Sequence, residues 1–298
     1  MDNRDLKLFK HLATSLHFGQ TSRACHVTPS ALTRIIQRLE EELGEKLFLR
    51  DNRSVSLTAA GKVFRSYADD VLQRFELLQG DLSTEDMLSG EISLYCSVTA
   101  AYSILPAIFQ KFRAVYPDVH INLQTGDAAQ ALSKLQNRDV DVTVAALPDN
   151  LPQRVEFLKI FETPLVFIVP SAFPETIRFN DKQIDWEKTP IIMADFGLSR
   201  DRTDRWFFEK DIVPNVYAQV AGNEAIIAMV ALGCGVGVVP GLVLEKSPLQ
   251  KQIDIVRVEP ELESFSIGIC TMKKNMRLPQ VDAFWQIAAS VSRFTQDK

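Results

Sequence analysis

A chain of 298 residues exceeds one ordinary domain and suits two or three, each able to bury a real core. Hydrophobic residues at 46% and charged residues at 24% are globular values, which exclude a disordered or collagen-like polymer. The net charge of -5 argues against nucleic acid as a partner of the whole chain, but residues 1–39 hold six Lys/Arg against two Asp/Glu, while residues 61–298 hold 24 against 31. A positive end on an acidic body fits local contact with DNA phosphates. Cys25, Cys96, Cys234 and Cys270 are scattered without CxxC or metal-ligand spacing, so reduced thiols in a cytoplasmic protein are expected. The opening Met-Asp-Asn-Arg-Asp lacks the basic start and apolar core of a secretory signal. Residues 225–244 carry no charge and are long enough to cross a bilayer. Gly233, Gly235, Gly237, Pro240 and Gly241 break that stretch into a buried helix to about residue 232, a turn and a strand over 236–239, so no membrane partner is expected.

From the N-terminus, Leu6, Phe9, Leu12, Ala13 and Leu16 recur at helical spacing, and Gly19 marks that helix's end. A short second helix begins at Thr21. Thr28 is a natural N-cap and Pro29 suits the first position of a third helix, in which Leu32, Ile35, Ile36, Leu39 and Leu43 share one face before Gly44 stops it. Its opposite face carries Ser30, Thr33, Arg34 and Gln37. Two helices joined by a tight turn, the second showing short polar and basic side chains near its start, form the arrangement that reads base edges in a major groove. Taken alone, that face reads first as a merely solvated surface, and the segment after it reverses that reading. Residues 47–50 and 55–58 then predict a hairpin with a polar tip at 51–54, a wing that brings Arg50 or Arg53 beside a phosphate or minor groove. After a Thr58 cap, Phe64, Ala68, Val71, Phe75, Leu78 and Leu82 step by fours and threes, the seam of a two-stranded coiled coil, and residues 83–90 read as a hinge.

The run from His17-Phe18-Gly19 through Arg38-Leu39-Glu40-Glu41-Glu42-Leu43-Gly44 to Leu57-Thr58-Ala59-Ala60-Gly61 resembles the DNA-binding domain of the LysR family. Cys25-His26 and Ile35-Ile36 depart from the family's usual pattern without touching the polar face. The resemblance implies a winged helix-turn-helix over 1–58 and a linker and dimerisation helix with hinge over 59–90. Pro29, Ser30, Thr33, Arg34 and Gln37 would face operator DNA and Arg53 would make the wing contact. It also implies a homo-oligomer, dimer or tetramer, that works with RNA polymerase.

Beyond residue 90 strand and helix patterns alternate. Strands are predicted over 92–97, 119–125 and 140–147, with helices over 102–116 and 128–137 between them. A second set places strands at 165–169, 191–194 and 216–220 and helices near 201–209 and 224–232, before a strand at 266–272 and a final helix from Pro279. Such βαβα order implies parallel sheets flanked by helices. This α/β half resembles the LysR effector domain: two lobes, about 91–162 with 266–298 and about 163–265, built like periplasmic binding proteins and joined by crossovers near 161–164 and 263–265. Ligands in such folds sit at the carboxyl ends of strands between lobes. Ser97, Val98, Thr99 and Ala100 supply hydroxyls and amides suited to a small anion. Thr125 and Gly126 repeat that geometry, with the adjacent Asp127 open to reading as a ligand contact or as an N-cap. Asp195, Phe196 and Asn223 occupy matching strand ends in the second lobe.

Enzymatic readings are weak. Gly233-Cys234-Gly235-Val236-Gly237 fails GxGxxG, no GxSxG, HExxH or Walker sequence occurs, and the four histidines, His11, His17, His26 and His120, form no catalytic set. No cofactor is expected. Within the LysR family the segments Cys96-Ser97-Val98-Thr99-Ala100-Ala101-Tyr102-Ser103, Thr125-Gly126-Asp127-Ala128-Ala129, Ile192-Met193-Ala194-Asp195, Met229-Val230-Ala231-Leu232-Gly233-Cys234-Gly235-Val236 and Ala283-Phe284-Trp285 resemble activators of branched-chain amino acid biosynthesis. That closer resemblance implies an acetohydroxy acid such as 2-acetolactate as effector. The alternatives are a LysR regulator of another small carboxylate, or a solute-binding or metabolic α/β protein whose N-terminal helices only oligomerise.

Overall fold

Asp2 and Asp5 cap each other's backbone, Asp5 N donating to Asp2 Oδ1 at 2.8 Å and Asp2 N to Asp5 Oδ2 at 3.2 Å, and so start α1 (Asn3–Ser15). The computed structural model describes residues 1–50, 54–82, 88–180 and 183–296. The chain divides into two units, Met1–Asp86 and Met87–Lys298. In the first, α2 (Phe18–Ala24) starts at His17, whose Nδ1 accepts from Gln20 N. α3 (Pro29–Leu43) opens with Thr28 Oγ1 accepting from Ala31 N and Pro29 in the first turn. Leu6, Phe9 and Leu12 of α1 close over Leu32, Ile36 and Leu39 of α3, all buried in one cluster. Arg38 Nη2 donates to both carboxylate oxygens of the buried Asp5 at 2.7 Å, which fixes the roll of α3 against α1.

The wing's stem is an antiparallel pair, β1 (Phe48–Arg50) with β2 (Val55–Leu57). Its expected contact residue, Arg53, lies outside the described residues. Thr58 Oγ1 accepts from Gly61 N at 2.8 Å and donates to Lys46 O at 2.6 Å, tying the wing's base to the start of α4 (Ala59–Leu82). Only glycine fits at 61, because a Cβ there would lie 2.1 Å from Leu47 O. The seam read along α4 divides. Phe64 and Ala68 are buried within their own unit, with the Phe64 ring 4.7 Å from that of Phe9, and Val71 packs against the same cluster. They cover the winged-helix core, which takes these three positions out of the seam read from the sequence. Phe75 and Leu78 remain exposed at 38% and 51%, and the Leu82 side chain is outside the described residues.

The second unit begins with β3 (Gly90–Cys96), α5 (Val98–Ser103), α6 (Leu105–Val115), β4 (Val119–Thr125), α7 (Ala131–Gln136), β5 (Val142–Ala146) and β6 (Val155–Thr163). Past Pro164 the chain enters a second lobe of β7 (Leu165–Pro170), β8 (Phe179–Asn180), β9 (Gln183–Ile184), β10 (Ile191–Ala194), α8 (Leu198–Glu209), β11 (Val216–Val220), α9 (Asn223–Ala231), β12 (Val236–Pro240), α10 (Gly241–Glu245) and β13 (Ile253–Val256). It returns through β14 (Phe265–Met272) and ends in α11 (Pro279–Gln296). The uncharged 225–244 stretch thus becomes helix, turn and buried strand, and among the described residues no helix is long and apolar enough to cross a membrane.

In the second unit three expectations change. The single helix over 102–116 is two, since Pro106 lacks an N–H and its ring would clash with the Tyr102 carbonyl if α5 ran on into α6. The sheets are mixed, ordered β4-β3-β5-β14-β6 and β11-β10-β12-β7-β13, and in each the last two named strands bring antiparallel pairing. Those reversals follow from the crossovers, which feed β7 and β14 into the opposite lobe. Strand β6, expected only near 161–164, runs for nine residues; a bulge against β14 leaves Ile160 unpaired between Lys159 and Phe161 and breaks the alternation that would have marked it.

Candidate functional site

Two surfaces carry the residues singled out from the sequence. On the first unit, packing of Leu32, Ile36 and Leu39 inward turns Pro29, Ser30, Arg34 and Gln37 to solvent, with Thr33 half-buried beside them. The backbone holding this face is fixed at both ends. Arg38 anchors it to Asp5, and buried Glu40 accepts from Leu47 N at 3.0 Å and Phe48 N at 3.3 Å and pairs with Lys46 at 2.8 Å, joining the end of α3 to the wing. Arg50 sits over the Phe18 ring at 4.5 Å, which fixes the wing's first strand against α2.

In the second unit a cleft of about 820 Å³, counted to its open mouth, lies between the lobes at the carboxyl ends of β3, β10 and β11. The sequence-nominated Ser97, Thr99, Ala100, Asp195, Phe196 and Asn223 all line it. Val98, Thr125 and Gly126 do not. Val98 and Thr125 turn to solvent. Gly126 answers to Tyr95: a Cβ would sit 2.4 Å from the Tyr95 hydroxyl, which donates to Asp127 O at 2.9 Å. Asp127 is an N-cap, its Oδ1 accepting from Ala129 N at 3.0 Å, although it also borders the cleft. The apolar floor, including Val144, Leu198, Phe265 and Ile267, was not foreseen, because it is assembled from both lobes.

The polar character of the cleft is specific. Asp127 and Asp195 line it, and among the described residues no Lys or Arg does. Ser97 Oγ accepts from Ala100 N at 3.2 Å. Thr99, only 1% exposed, donates its hydroxyl to Glu224 Oε1 at 2.7 Å and its amide to the same oxygen at 3.2 Å. The Thr99 donors expected to meet a ligand anion are therefore held by a carboxylate of the chain itself, 125 residues away. Nothing at the level of sequence links the two. Cys96, at the end of β3, and Cys270 are pushed up by burial, to about 11 and about 12, so both thiols stay protonated at neutral pH. Cys234 packs half-buried against the second lobe's core.

The winged helix-turn-helix and the two-lobed α/β cleft define a ligand-responsive DNA-binding regulator. Residues 3–62 match the bacterial regulatory helix-turn-helix protein, lysR family, and residues 85–293 match the LysR substrate binding domain, so the chain belongs to the LysR family of transcriptional regulators, not to an enzyme family. It is 46% identical over 294 residues to the HTH-type transcriptional activator IlvY of Salmonella typhimurium, covering 96% of this chain and 99% of that one. With the HTH-type transcriptional regulator IlvY of Escherichia coli it shares 45% over 293 residues, covering 96% and 98%. In fold it is similar to a full-length OxyR variant from Pseudomonas aeruginosa, with a TM-score of 0.67, 22% identity and coverage of 98% and 95%. It is likewise similar to full-length CbnR complexed with its target DNA, with a TM-score of 0.62, 20% identity and coverage of 98% and 100%.

Proposed function

We propose that this regulator is an activator of branched-chain amino acid biosynthesis that binds operator DNA through the exposed face of α3 and responds to an acetohydroxy acid such as 2-acetolactate in the interlobe cleft. The near full-length likeness to the IlvY activators supports the pathway. The observation that carries the cleft assignment is the convergence of Ser97, Thr99, Ala100, Asp195, Phe196 and Asn223 on one space. Its chemistry favours a particular kind of acid. Two aspartates without a lining cation repel a dicarboxylate, whereas a monoanion that also carries a hydroxyl gives them a donor to accept from. A tertiary hydroxyl, a ketone and one carboxylate meet that description, and the apolar floor takes the methyl groups.

The base-reading roles of Pro29, Ser30, Thr33, Arg34 and Gln37, the wing contact of Arg53, assembly as a homo-oligomer and action with RNA polymerase belong to the same reading. The CbnR structure with its target DNA supports the DNA role by its fold. Footprinting on the DNA upstream of this protein's own gene, with and without 2-acetolactate, tests the function, and calorimetric titration with 2-acetolactate, pyruvate and valine tests the ligand. Protection that changes with acetolactate, and saturable heat with acetolactate alone, are the expected results. Equal affinity for valine, or no saturable heat with acetolactate, overturns the ligand while leaving the family assignment in place.

A further inference from the structure

We infer that Glu224 is a tethered competitor for the effector: its carboxylate occupies the Thr99 donors that the ligand's carboxylate takes, and binding displaces it. The inference rests on the reading of the interlobe cleft as the effector site. Thr99 lines that cleft from the first lobe, and Glu224 stands one residue past the cleft-lining Asn223, in the first turn of α9 in the second lobe. One oxygen, Oε1, accepts both the Thr99 hydroxyl and the Thr99 amide. That is the pair of donors a small carboxylate entering from the cleft would use.

The grip on Glu224 is of a kind that can be exchanged. Among the described residues Thr99 is its only hydrogen-bond partner and no Lys or Arg pairs with it. A charge-assisted hydrogen bond from neutral donors is strong enough to hold the side chain in place. It is not a buried ion pair, and an incoming carboxylate offers Thr99 the same bond, so the exchange is nearly balanced at that oxygen. The ligand's remaining contacts then set the net affinity. Because Thr99 is buried, its donors open only when Glu224 leaves. Displacement also cuts a tie between the lobes. Other contacts between the lobes persist, among them Arg205 Nη2 to Asp149 Oδ2 at 2.8 Å and the long approach of the Tyr102 hydroxyl to Lys246 O at 3.4 Å, so Glu224 is the tie whose loss is coupled directly to ligand occupancy of Thr99. An internal competitor raises the effector concentration needed for response without altering the contacts that choose the effector.

Titration of the full-length protein with 2-acetolactate, comparing wild type with Glu224→Gln and Glu224→Asp, tests this. Glu224→Gln leaves a neutral acceptor that competes less well. Glu224→Asp keeps the charge but is one methylene too short to reach Thr99. Competition predicts that both bind acetolactate more tightly, by roughly ten- to a hundredfold, the worth of a hydrogen bond to a charged group. Thermal melts identify any variant that has lost its fold. Wild-type binding with unchanged or weaker affinity in Glu224→Gln makes Glu224 a structural tie and removes the competitor alone. Tightening in Glu224→Gln without tightening in Glu224→Asp assigns the effect to simple repulsion and likewise overturns displacement. No saturable heat from any of the three proteins removes the effector reading itself and the competition with it.

Discussion

Replacing Glu40 by alanine should loosen the join between α3 and the wing. Glu40 is 5% exposed, and the amides it holds belong to Leu47 and Phe48, themselves buried, so water cannot take its place. A buried donor left unsatisfied costs about 1–3 kcal/mol; the Leu47 amide at 3.0 Å bears most of this, the longer Phe48 bond less, and the solvent-exposed Lys46 pair little. The expected loss in Glu40→Ala is therefore about 2–4 kcal/mol, and in Glu40→Gln, which retains an acceptor, about 1 kcal/mol. Burial pushes the Glu40 pKa up, but the hydrogen bonds from Lys46 and from the two amides outweigh it and leave the group below the ordinary glutamate range. A depressed folded-state pKa means that this stabilisation is full above the ordinary value and is lost as pH falls through the lower one. Wild type should thus lose stability in that acid window, and Glu40→Ala should lose less there. Urea unfolding followed by amide exchange at residues 47 and 48 measures both effects. If Glu40→Ala unfolds at the wild-type urea concentration with both amides still protected, the argument from unsatisfied donors is wrong.

Arg34→Ala should cost about 1–3 kcal/mol of specific operator binding and relax sequence preference, as loss of a base-reading arginine does; a gel-shift series showing wild-type affinity and preference would reassign the reading face. Phe75→Glu combined with Leu78→Lys should give monomers that bind operator poorly, because these exposed side chains, unlike Phe64 and Ala68, are available to a second copy. Light scattering that finds wild type and the double variant in the same state would remove α4 as the assembly surface.

The first unit was legible because its determinants are local. Thr28 and Thr58 set helix starts by accepting bonds from residues three positions on, Pro29 does so by its fixed φ, and the inward positions of α3 repeat at the helical period. Strands β4, β10 and β11 were equally plain, each an unbroken run bounded by turn residues. Strand β6 was not, since the bulge at Ile160 shifts its alternation midway, and β13 is too short to show a period. Periodicity along α4 identified one apolar stripe but could not say what covers it. Tertiary packing gave its first half to the core around Phe9 and left Phe75 and Leu78 outside.

Loops that line the cleft were legible in sequence because strand ends and hydroxyl-rich turns are local features. What occupies them is not. The Glu224–Thr99 bond joins residues 125 positions apart across the first crossover, so only the folded chain decides that the Thr99 donors are already engaged. Gly126 was read as a ligand contact, and Tyr95, held above it by the neighbouring strand, is the reason for it instead. The sequence alone determined the two-part architecture and the outward face of α3, because these follow from spacing along the chain. The polarity of the cleft, with its two aspartates and no lining cation, and the tie across it were decided by which strand ends the lobes bring together.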